Sequence, residues 1–196
     1  PAAQSPAPAA APPPAAAPAP AAAPAPAVAP TPAPLQAQAP APSAPAGPSL
    51  EVQSHIRQAF SYLSTAKAAR EVAIRQENIE NALREFDLAV KKDPSYAEAY
   101  SNRAAAYMLQ QKFNKAEEDL RKARELNPDS PSVRYNFASL HSLRGNVDLA
   151  LDEIDAALSK GFTDYDALRD DPDLANLRRH PEFRKILEKH KVFIMR

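Results

Sequence analysis

The chain has 196 residues, and its 24 basic and 24 acidic side chains give a formal charge of zero. Because both signs are interspersed, the charge pattern argues against nucleic acid or an anionic membrane surface as partner. The sequence has no cysteine, which excludes disulfides and thiolate metal sites, and no apolar stretch of the roughly 18 residues that would span a bilayer.

Residues 1–48 are dominated by alanine and proline and contain no charged residue. The first charged residue of the chain is Glu51. Residues 1–48 hold 17 of the 22 prolines. Proline removes backbone donors and fixes φ, and alanine leaves little apolar surface to bury, so no packed core can offset the entropy of ordering this segment. We predict a disordered linker over residues 1–48 that acts as a tether or spacer. Whether its P-x-x-P spacings bind an SH3 or WW module stays open.

The rest of the chain, residues 49–196, is predicted to form one domain. Four apolar residues recur at helical spacing near its start: Val52, Ile56, Phe60 and Leu63. This spacing predicts a long first helix. Phe60 and Tyr62 either pack on the following residues as an N-terminal cap or form an exposed stripe for self-association.

Three segments of this domain align with a period of 34 residues: 63–96, 97–130 and 131–164. The second half of each carries a small, a large and a small residue at positions i, i+4 and i+7. These residues are Ala82, Phe86 and Ala89, then Ala116, Leu120 and Ala123, then Ala150, Ile154 and Ala157. The spacing is that of one helix face, on which the alanines admit a neighbouring helix and the large residue fills the space between.

Prolines and glycine mark where these helices end. Pro94 and Pro128 follow the first two alanine-rich helices, and a proline cannot continue a helix. Turns within the segments are predicted near residues 76–78, 110–112 and 144–146, the last of which contains a glycine. The repeating unit is therefore helix, turn, helix, turn.

The middle segment has an aromatic, small, aromatic, small, large, small, proline order. Its members are Tyr100, Ala104, Tyr107, Ala116, Leu120, Ala123 and Pro128. This pattern resembles the tetratricopeptide repeat (TPR) family. The first segment departs from it at Ala66, Arg70 and Ala73, and the third ends in Gly161 and Phe162 instead of proline, as terminal repeats often do. The resemblance implies an all-α, right-handed superhelical solenoid of about three helix pairs with helical caps.

The resemblance also implies that the signature residues form the core and that the first helix of each repeat lines a concave binding groove. The implied groove residues are Lys67, Ser101, Asn102, Ala105, Met108, Tyr135, Asn136 and Ser139, with Glu98 and Ser142 beside them. This surface is mostly uncharged and rich in Asn, Ser and Tyr. It suits an extended backbone or an amphipathic helix better than an acidic tail.

Residues 100–107 also look like the second repeat of co-chaperones that clamp the C-terminal carboxylate of heat-shock chaperones. Such clamps use five polar groups, of which Lys67 and Asn102 fit. The other three positions depart, with Glu71, Ser132 and Asn136 in place of the expected Asn, Lys and Arg. Because two carboxylates need several converging cations and donors, the sequence argues against this clamp.

The residues after the repeats, 165–196, are predicted to form a helical cap in which Asp171 and His180 precede helix-starting prolines. Apolar residues of this segment are expected to cover the last repeat helix: Tyr165, Leu168, Leu174, Leu177, Phe183 and Leu187. The apolar terminus at residues 192–195 either packs against this cap or joins two subunits.

Candidates for catalysis or metal binding are few. The histidines are scattered at His55, His141, His180 and His190. Asp170, Asp171 and Asp173 lack the glycine and distal glutamate of an EF-hand, and a helix N-terminus explains them better. The sequence has no P-loop, dinucleotide fingerprint or G-x-S-x-G motif. We therefore predict a protein that is not an enzyme and that uses no cofactor or metal.

The predicted function is a protein–protein interaction adaptor or scaffold that binds a peptide or helix of a partner protein. One alternative is a structural, self-associating component of a cell-envelope assembly, and a third is a co-chaperone. An Ala/Pro-rich segment that begins at Pro1, without Met, favours a bacterial periplasmic or membrane-tethered protein whose upstream targeting segment was removed. A cytoplasmic location is the alternative.

Overall fold

The computed structural model describes residues 47–193. Within that range the chain forms nine α-helices and one 3-10 turn and no strand, which confirms the all-α prediction. The helices are α1 (Leu50–Ala68), α2 (Val72–Lys92), α3 (Ala97–Leu109), α4 (Phe113–Leu126), α5 (Pro131–Leu143), α6 (Val147–Ser159), α7 (Tyr165–Asp170), α8 (Ala175–Arg178) and α9 (Pro181–Lys189). The 3-10 turn, Pro172–Leu174, lies between α7 and α8. The predicted linker, apart from its last two residues, and residues 194–196 lie outside the described range.

The first six helices form three pairs, in which α1 packs on α2, α3 on α4 and α5 on α6. Three residues separate the helices of each pair, and four separate one pair from the next. Consecutive pairs stack through contacts of α2 with α3, α4 with α5, and α3 with α5. This regular stacking of helix pairs is a solenoid, as the repeat pattern predicted.

The core follows the small, large, small pattern of the second helices. In α2, α4 and α6 these residues expose at most 1% of their surface: Ala82, Phe86, Ala89, Ala116, Leu120, Ala123, Ala150, Ile154 and Ala157. Each of the large side chains contributes about 1.5–3 kcal/mol through burial. The alanines leave room for the neighbouring helix, so the small positions of the pattern allow the helices to pack closely.

An ion-pair network joins the first two pairs. Arg103 on α3 donates two hydrogen bonds to Asp119 on α4, of 2.8 and 2.7 Å, and a third of 2.7 Å to Asp87 on α2. Its guanidinium also lies 5.6 and 6.0 Å from the ring centres of Tyr100 and Tyr107. One side chain therefore holds three helices together.

The first pair is longer than the sequence period predicted. Its helices have 19 and 21 residues, whereas the helices of the other two pairs have 13 or 14. The predicted turn at residues 76–78 is wrong, because these residues lie inside α2 and the turn is at residues 69–71. In the later pairs, Gln111 lies in the turn after α3 and Gly145 in the turn after α5, with positive φ of 56° and 78°. No residue of the first turn, 69–71, has a positive φ. Helix-favouring residues before Asn78 instead extend α2 toward its N-terminus.

The residues after α6 fold back as a cap, with α8 and α9 against α6 and the 3-10 turn against α5. Five of the apolar residues predicted to cover the last repeat are buried: Leu168, Leu174, Leu177, Phe183 and Leu187. Tyr165 is the exception, because 43% of its surface is exposed. Phe162, just before the cap, is buried and stacks on Tyr135 with ring centres 4.6 Å apart.

The cap helices begin as the sequence predicted. The Asp171 carboxylate accepts a hydrogen bond from the Asp173 N–H, and the His180 ring accepts one from the Glu182 N–H. Both residues precede the prolines that open their helices. In the part of the chain that the structure describes, none of the helices combines the length and apolar character needed to cross a bilayer.

Candidate functional site: a concave groove

One side of the solenoid carries a groove of about 800 Å³, bounded by α1, α3, α5 and the segment from residue 164 to residue 173. We call it the concave groove. The repeat helices contribute Phe60, Leu63, Ser64, Lys67, Ala105, Met108, Leu109, Asn136 and Ser139 to its lining. The first helices of all three pairs therefore meet at one surface, as expected for a solenoid.

Five of the eight groove residues predicted from the sequence lie together in this lining: Lys67, Ala105, Met108, Asn136 and Ser139. Lys67 is exposed, whereas Met108 and Ser139 are buried at the bottom of the groove. Whether these five residues contact a partner stays a prediction.

The other three predicted residues have different surroundings. Ser101 is buried, and its side-chain oxygen accepts a 2.8 Å hydrogen bond from the Asn136 amide, which ties α3 to α5. Tyr135 is buried against Phe162. Asn102 is half-buried on α3 and does not contribute to the lining. The structure thus gives Ser101 and Tyr135 packing contacts where the sequence predicted groove surface, because both turn toward a neighbouring element.

The two residues predicted beside the groove also lie outside its lining. The buried Ser142 hydroxyl donates a 2.5 Å hydrogen bond to the Asp173 carbonyl oxygen, and Glu98 is half-buried on the first turn of α3. Ser142 therefore anchors the 3-10 turn on α5.

The groove has an apolar floor. Phe60 and Leu109 expose 48% and 42% of their surface, and Leu63 on α1 and Met108 on α3 are buried. Phe60 is not free of the core, because its ring makes an edge contact with Phe86 at 5.8 Å between centres. Apolar side chains held open to solvent in a concavity are typical of a binding surface.

A cluster of aspartates in the segment from residue 164 to residue 173 lines the groove beside this floor. Its members, which we call the acidic wall, are Asp164, Asp166, Asp170, Asp171 and Asp173. Lys67 is the cation that lines the groove among the residues the structure describes. The sequence interpretation assigned the aspartates around Asp171 to helix N-termini, and did not place them in the groove.

The carboxylates of the acidic wall differ in their ion-pair and hydrogen-bond partners. Asp166 and Asp170 pair with Arg169, at 2.6 and 2.9 Å. Asp171 accepts a 2.6 Å hydrogen bond from the Tyr135 hydroxyl. The Asp173 carboxylate accepts no hydrogen bond from any residue in the range 47–193. It is the least compensated charge of the wall.

Burial, and after it the negative charge of Asp171, raise the pKa of Asp173 to about 6, whereas Lys67 acts in the opposite direction. Burial and the hydrogen bond to Asp171 also raise the pKa of the Tyr135 phenol. The phenol therefore remains a donor at neutral pH.

The acidic wall was missed because it depends on tertiary packing. Two contacts set its position, the hydrogen bond from Tyr135 to Asp171 and the one from Ser142 to the Asp173 backbone. Their partners are 36 and 31 residues apart in the sequence. The signal available beforehand was the density of aspartates near a helical cap, which by itself does not say where the cap packs.

Within the described residues, no three or more His, Asp or Glu side chains are arranged to hold a metal ion. The groove instead offers carboxylates, an amide and apolar side chains. These groups suit recognition of another chain by hydrogen bonds, charge and burial.

Fold and groove together define a helical-repeat protein with a peptide-sized concavity. Residues 97–130 match the family model of the tetratricopeptide repeat, so this part of the chain is a TPR and the predicted family is confirmed. A search of functionally characterised proteins found no significant sequence match.

Among solved structures, the chain is similar to a thermophilic TPR protein of Thermus thermophilus, TTC0263, with 25% identity and a TM-score of 0.56. The match covers 70% of this chain and 64% of that one, so the chain spans less than two thirds of its relative. The TPR2B domain of yeast Sti1, solved in complex with pHsp70, has 23% identity and a TM-score of 0.49, over 73% of this chain and 98% of that one.

Proposed function

We propose that this protein is a non-enzymatic adaptor that binds a peptide or helix of a partner protein in the concave groove. The observation that carries the proposal is the groove itself, in which the first helices of three stacked pairs expose an apolar floor beside a polar wall. TPR-type solenoids use this surface for binding other proteins.

The hydrogen-bonding groups of the groove support recognition of a donor-rich ligand. The Asn136 amide donates to the side chain and the backbone oxygen of Ser101, at 2.8 and 3.3 Å. The amide nitrogen is therefore engaged within the protein, whereas the carbonyl oxygen of the same side chain accepts no hydrogen bond from the described residues and can accept one from a ligand. A peptide backbone or a side-chain donor can supply one.

A chaperone tail that ends in a carboxylate is disfavoured as the ligand. Lys67 would face it across a surface that also carries five aspartates. Glu71, at a position where such clamps use asparagine, is exposed in the turn before α2. Like charges at close range weaken binding, so we do not extend the proposal to the co-chaperone alternative.

The domain organisation and location belong to the same proposal. Residues 49–196 would form the binding domain and residues 1–48 the tether, with the second and third repeats at 97–130 and 131–164 and the cap at 165–196. The first repeat, predicted at 63–96, would instead consist of α1 and α2, since residue 63 lies inside α1. The Ala/Pro-rich composition supports a spacer in the periplasm or on a membrane surface. Fractionation of the source cells tests the location, and recovery only in the cytoplasm would contradict it.

The adaptor proposal is tested by a pull-down from a lysate of the source cells, with the full chain and two tryptophan variants as baits. Ser64 is exposed on α1 and lines the groove, so Ser64→Trp fills the groove without disturbing the core. Gln58 is exposed on the same helix but outside the groove, so Gln58→Trp is the matched control. Circular dichroism verifies that both variants remain helical.

We expect a partner that the wild type and Gln58→Trp retain and that Ser64→Trp loses. If all three baits retain the same proteins, the groove is not the binding surface. If each bait recovers only itself, the adaptor proposal fails and the self-associating alternative replaces it.

A further inference from the structure

The charge of the concave groove differs from that of the whole chain. Of the titratable residues in the described part of the chain, five aspartates and one lysine line the groove, which gives a formal charge of −4. The chain as a whole has a formal charge of zero. The negative charge is therefore a local property of this surface, where concave walls focus the field toward an incoming ligand.

The cations nearby do not neutralise the wall. Arg169 is shared between Asp166 and Asp170. Arg178 donates to the backbone oxygens of Leu168 and Asp171 and not to a carboxylate of the wall. Asp173 is left without a donor among residues 47–193, and half-buried carboxylates of this kind favour a cation from outside.

A second polar group in the groove is also unsatisfied. Ser139 lines the groove and exposes 2% of its surface, and its hydroxyl lies near enough to the Tyr135 phenol to affect the pKa of that phenol, yet it makes no hydrogen bond of normal geometry within the described residues. Buried polar groups are normally hydrogen-bonded, so an orphan at this position points to a partner that the isolated chain does not supply. It lies on α5, the helix against which the acidic wall packs.

The apolar floor and the acidic wall lie side by side along the same groove. A ligand that covers Phe60 and Leu109 must therefore also place some of its side chains against the wall. Apolar side chains on one face and cationic ones on the adjacent face satisfy both surfaces at once.

From this arrangement we propose that the groove selects a basic amphipathic segment of the partner protein, with apolar side chains on the floor and Lys or Arg along the acidic wall. The inference rests on the proposed function, in which the groove binds a peptide or helix, and it specifies the chemistry of that ligand. The chain's own residues 1–48 do not meet this requirement, since they contain no Lys or Arg.

The experiment uses the full chain and three labelled amphipathic peptides of about 14 residues, or roughly four helical turns. All three carry leucines at the same positions, and their polar positions are all Lys, all Gln or all Glu. Fluorescence polarisation measures each affinity at about 50 mM and about 500 mM salt, because screening separates charge from apolar burial.

The variants are matched for charge. Asp170→Asn with Asp173→Asn removes two charges from the wall and leaves the Tyr135 to Asp171 contact intact. Glu77→Gln with Glu80→Gln removes two charges from exposed positions of α2 outside the groove. Ser64→Trp reports whether the peptide occupies the groove at all.

We expect the Lys peptide to bind at least about tenfold more tightly than the Gln peptide at low salt, and the Glu peptide to bind least. The wall variant should weaken the Lys peptide by a factor of about five or more, while the α2 variant leaves its affinity unchanged. Raising the salt concentration should reduce the difference between the Lys and Gln peptides.

Other outcomes overturn the inference and separate it from the proposed function. If the Gln peptide binds as tightly as the Lys peptide and Ser64→Trp abolishes both, the groove is a binding site without charge selection. If the Ser64→Trp variant still binds the Lys peptide as tightly as the wild type does, the peptide binds outside the groove. Tight binding of an Ala-Pro peptide copied from residues 1–48, unaffected by the wall variant, would assign the groove to the chain's own linker.

Discussion

The Tyr135 hydroxyl donates a 2.6 Å hydrogen bond to the Asp171 carboxylate, and this contact connects the last repeat to the cap. Tyr135 lies on α5 and Asp171 immediately precedes the 3-10 turn. The nearby bond from Ser142 to the Asp173 carbonyl holds the same turn from a second point on α5. Together they fix the acidic wall along the groove.

Replacement of Tyr135 by phenylalanine tests this anchor. Tyr135→Phe keeps the ring that stacks on Phe162 and removes only the hydroxyl, so Asp171 loses its side-chain donor and keeps the Asp173 N–H. We expect the free energy of unfolding to fall by about 1–2 kcal/mol and amide hydrogen exchange to accelerate in residues 164–174. The control is Tyr165→Phe, at an exposed ring that should have no effect. Unchanged exchange in residues 164–174 would show that the hydrogen bond does not hold the wall.

Asp173 makes the stability of the domain depend on pH. Its pKa is about 6 in the folded protein against an ordinary value of 3.8, so folding favours the protonated form. The stability that this form contributes is complete below about pH 3.8 and is lost as the pH rises through about 6. Among the groups facing it, Asp171 strengthens this trend and Lys67 opposes it.

Asp173→Asn imitates the protonated carboxyl at every pH. We expect the variant to melt about 2–4 °C above the wild type at pH 7 and at the same temperature near pH 4. Thermal melts followed by circular dichroism across pH 4–8 measure the difference, with Glu77→Gln as an exposed control. A gain that is equal at all pH values would mean that charge at Asp173 is not its cause.

The parts of the fold that follow local periodicity could be predicted from the sequence. Ala116, Leu120 and Ala123 recur at helical spacing, and their burial in α4 is a direct consequence of that spacing. The turn of the first pair could not be predicted this way. Its position was transferred by 34 residues from the turn at Gln111, and α1 and α2 are longer than their counterparts.

The sequence also predicted one part of the candidate site, the residues on the repeat helices, and not the other, the acidic wall. Lys67, Ala105 and Asn136 were placed in the groove because they lie on first helices of the repeats, and they do line it. The acidic wall depends on contacts between residues more than 30 positions apart, which no local pattern contains. The charge of the groove therefore emerged only from the packing of the cap.

Arg103 is the residue on which the joint between the first two pairs depends. Asp119 exposes only 6% of its surface and receives two hydrogen bonds from Arg103. Arg103→Met would leave this buried carboxylate unpaired, so we expect a loss of about 3–5 kcal/mol in the free energy of unfolding, measured with urea. Arg103→Met with Asp119→Leu removes both charges and should recover most of the loss. If the double variant is as unstable as the single one, packing on Tyr100 and Tyr107 is the larger contribution.

Gln111 and Gly145 occupy equivalent turns 34 residues apart, and both have positive φ, at 56° and 78°. A residue with a side chain loses roughly 1–2 kcal/mol of stability when its backbone adopts the left-handed region, and glycine avoids this loss. Glycine is also more flexible in the unfolded chain, and this flexibility offsets part of the gain. We therefore expect Gln111→Gly to raise the free energy of unfolding by about 0.5–1 kcal/mol. The reciprocal Gly145→Ala should lower it by about 1 kcal/mol through the backbone alone, because in the described part of the chain no heavy atom beyond the adjacent residues lies within 4 Å of the added Cβ. Urea unfolding of both variants measures the two effects, and a destabilised Gln111→Gly would mean that the Gln111 side chain contributes more to the turn than its φ costs.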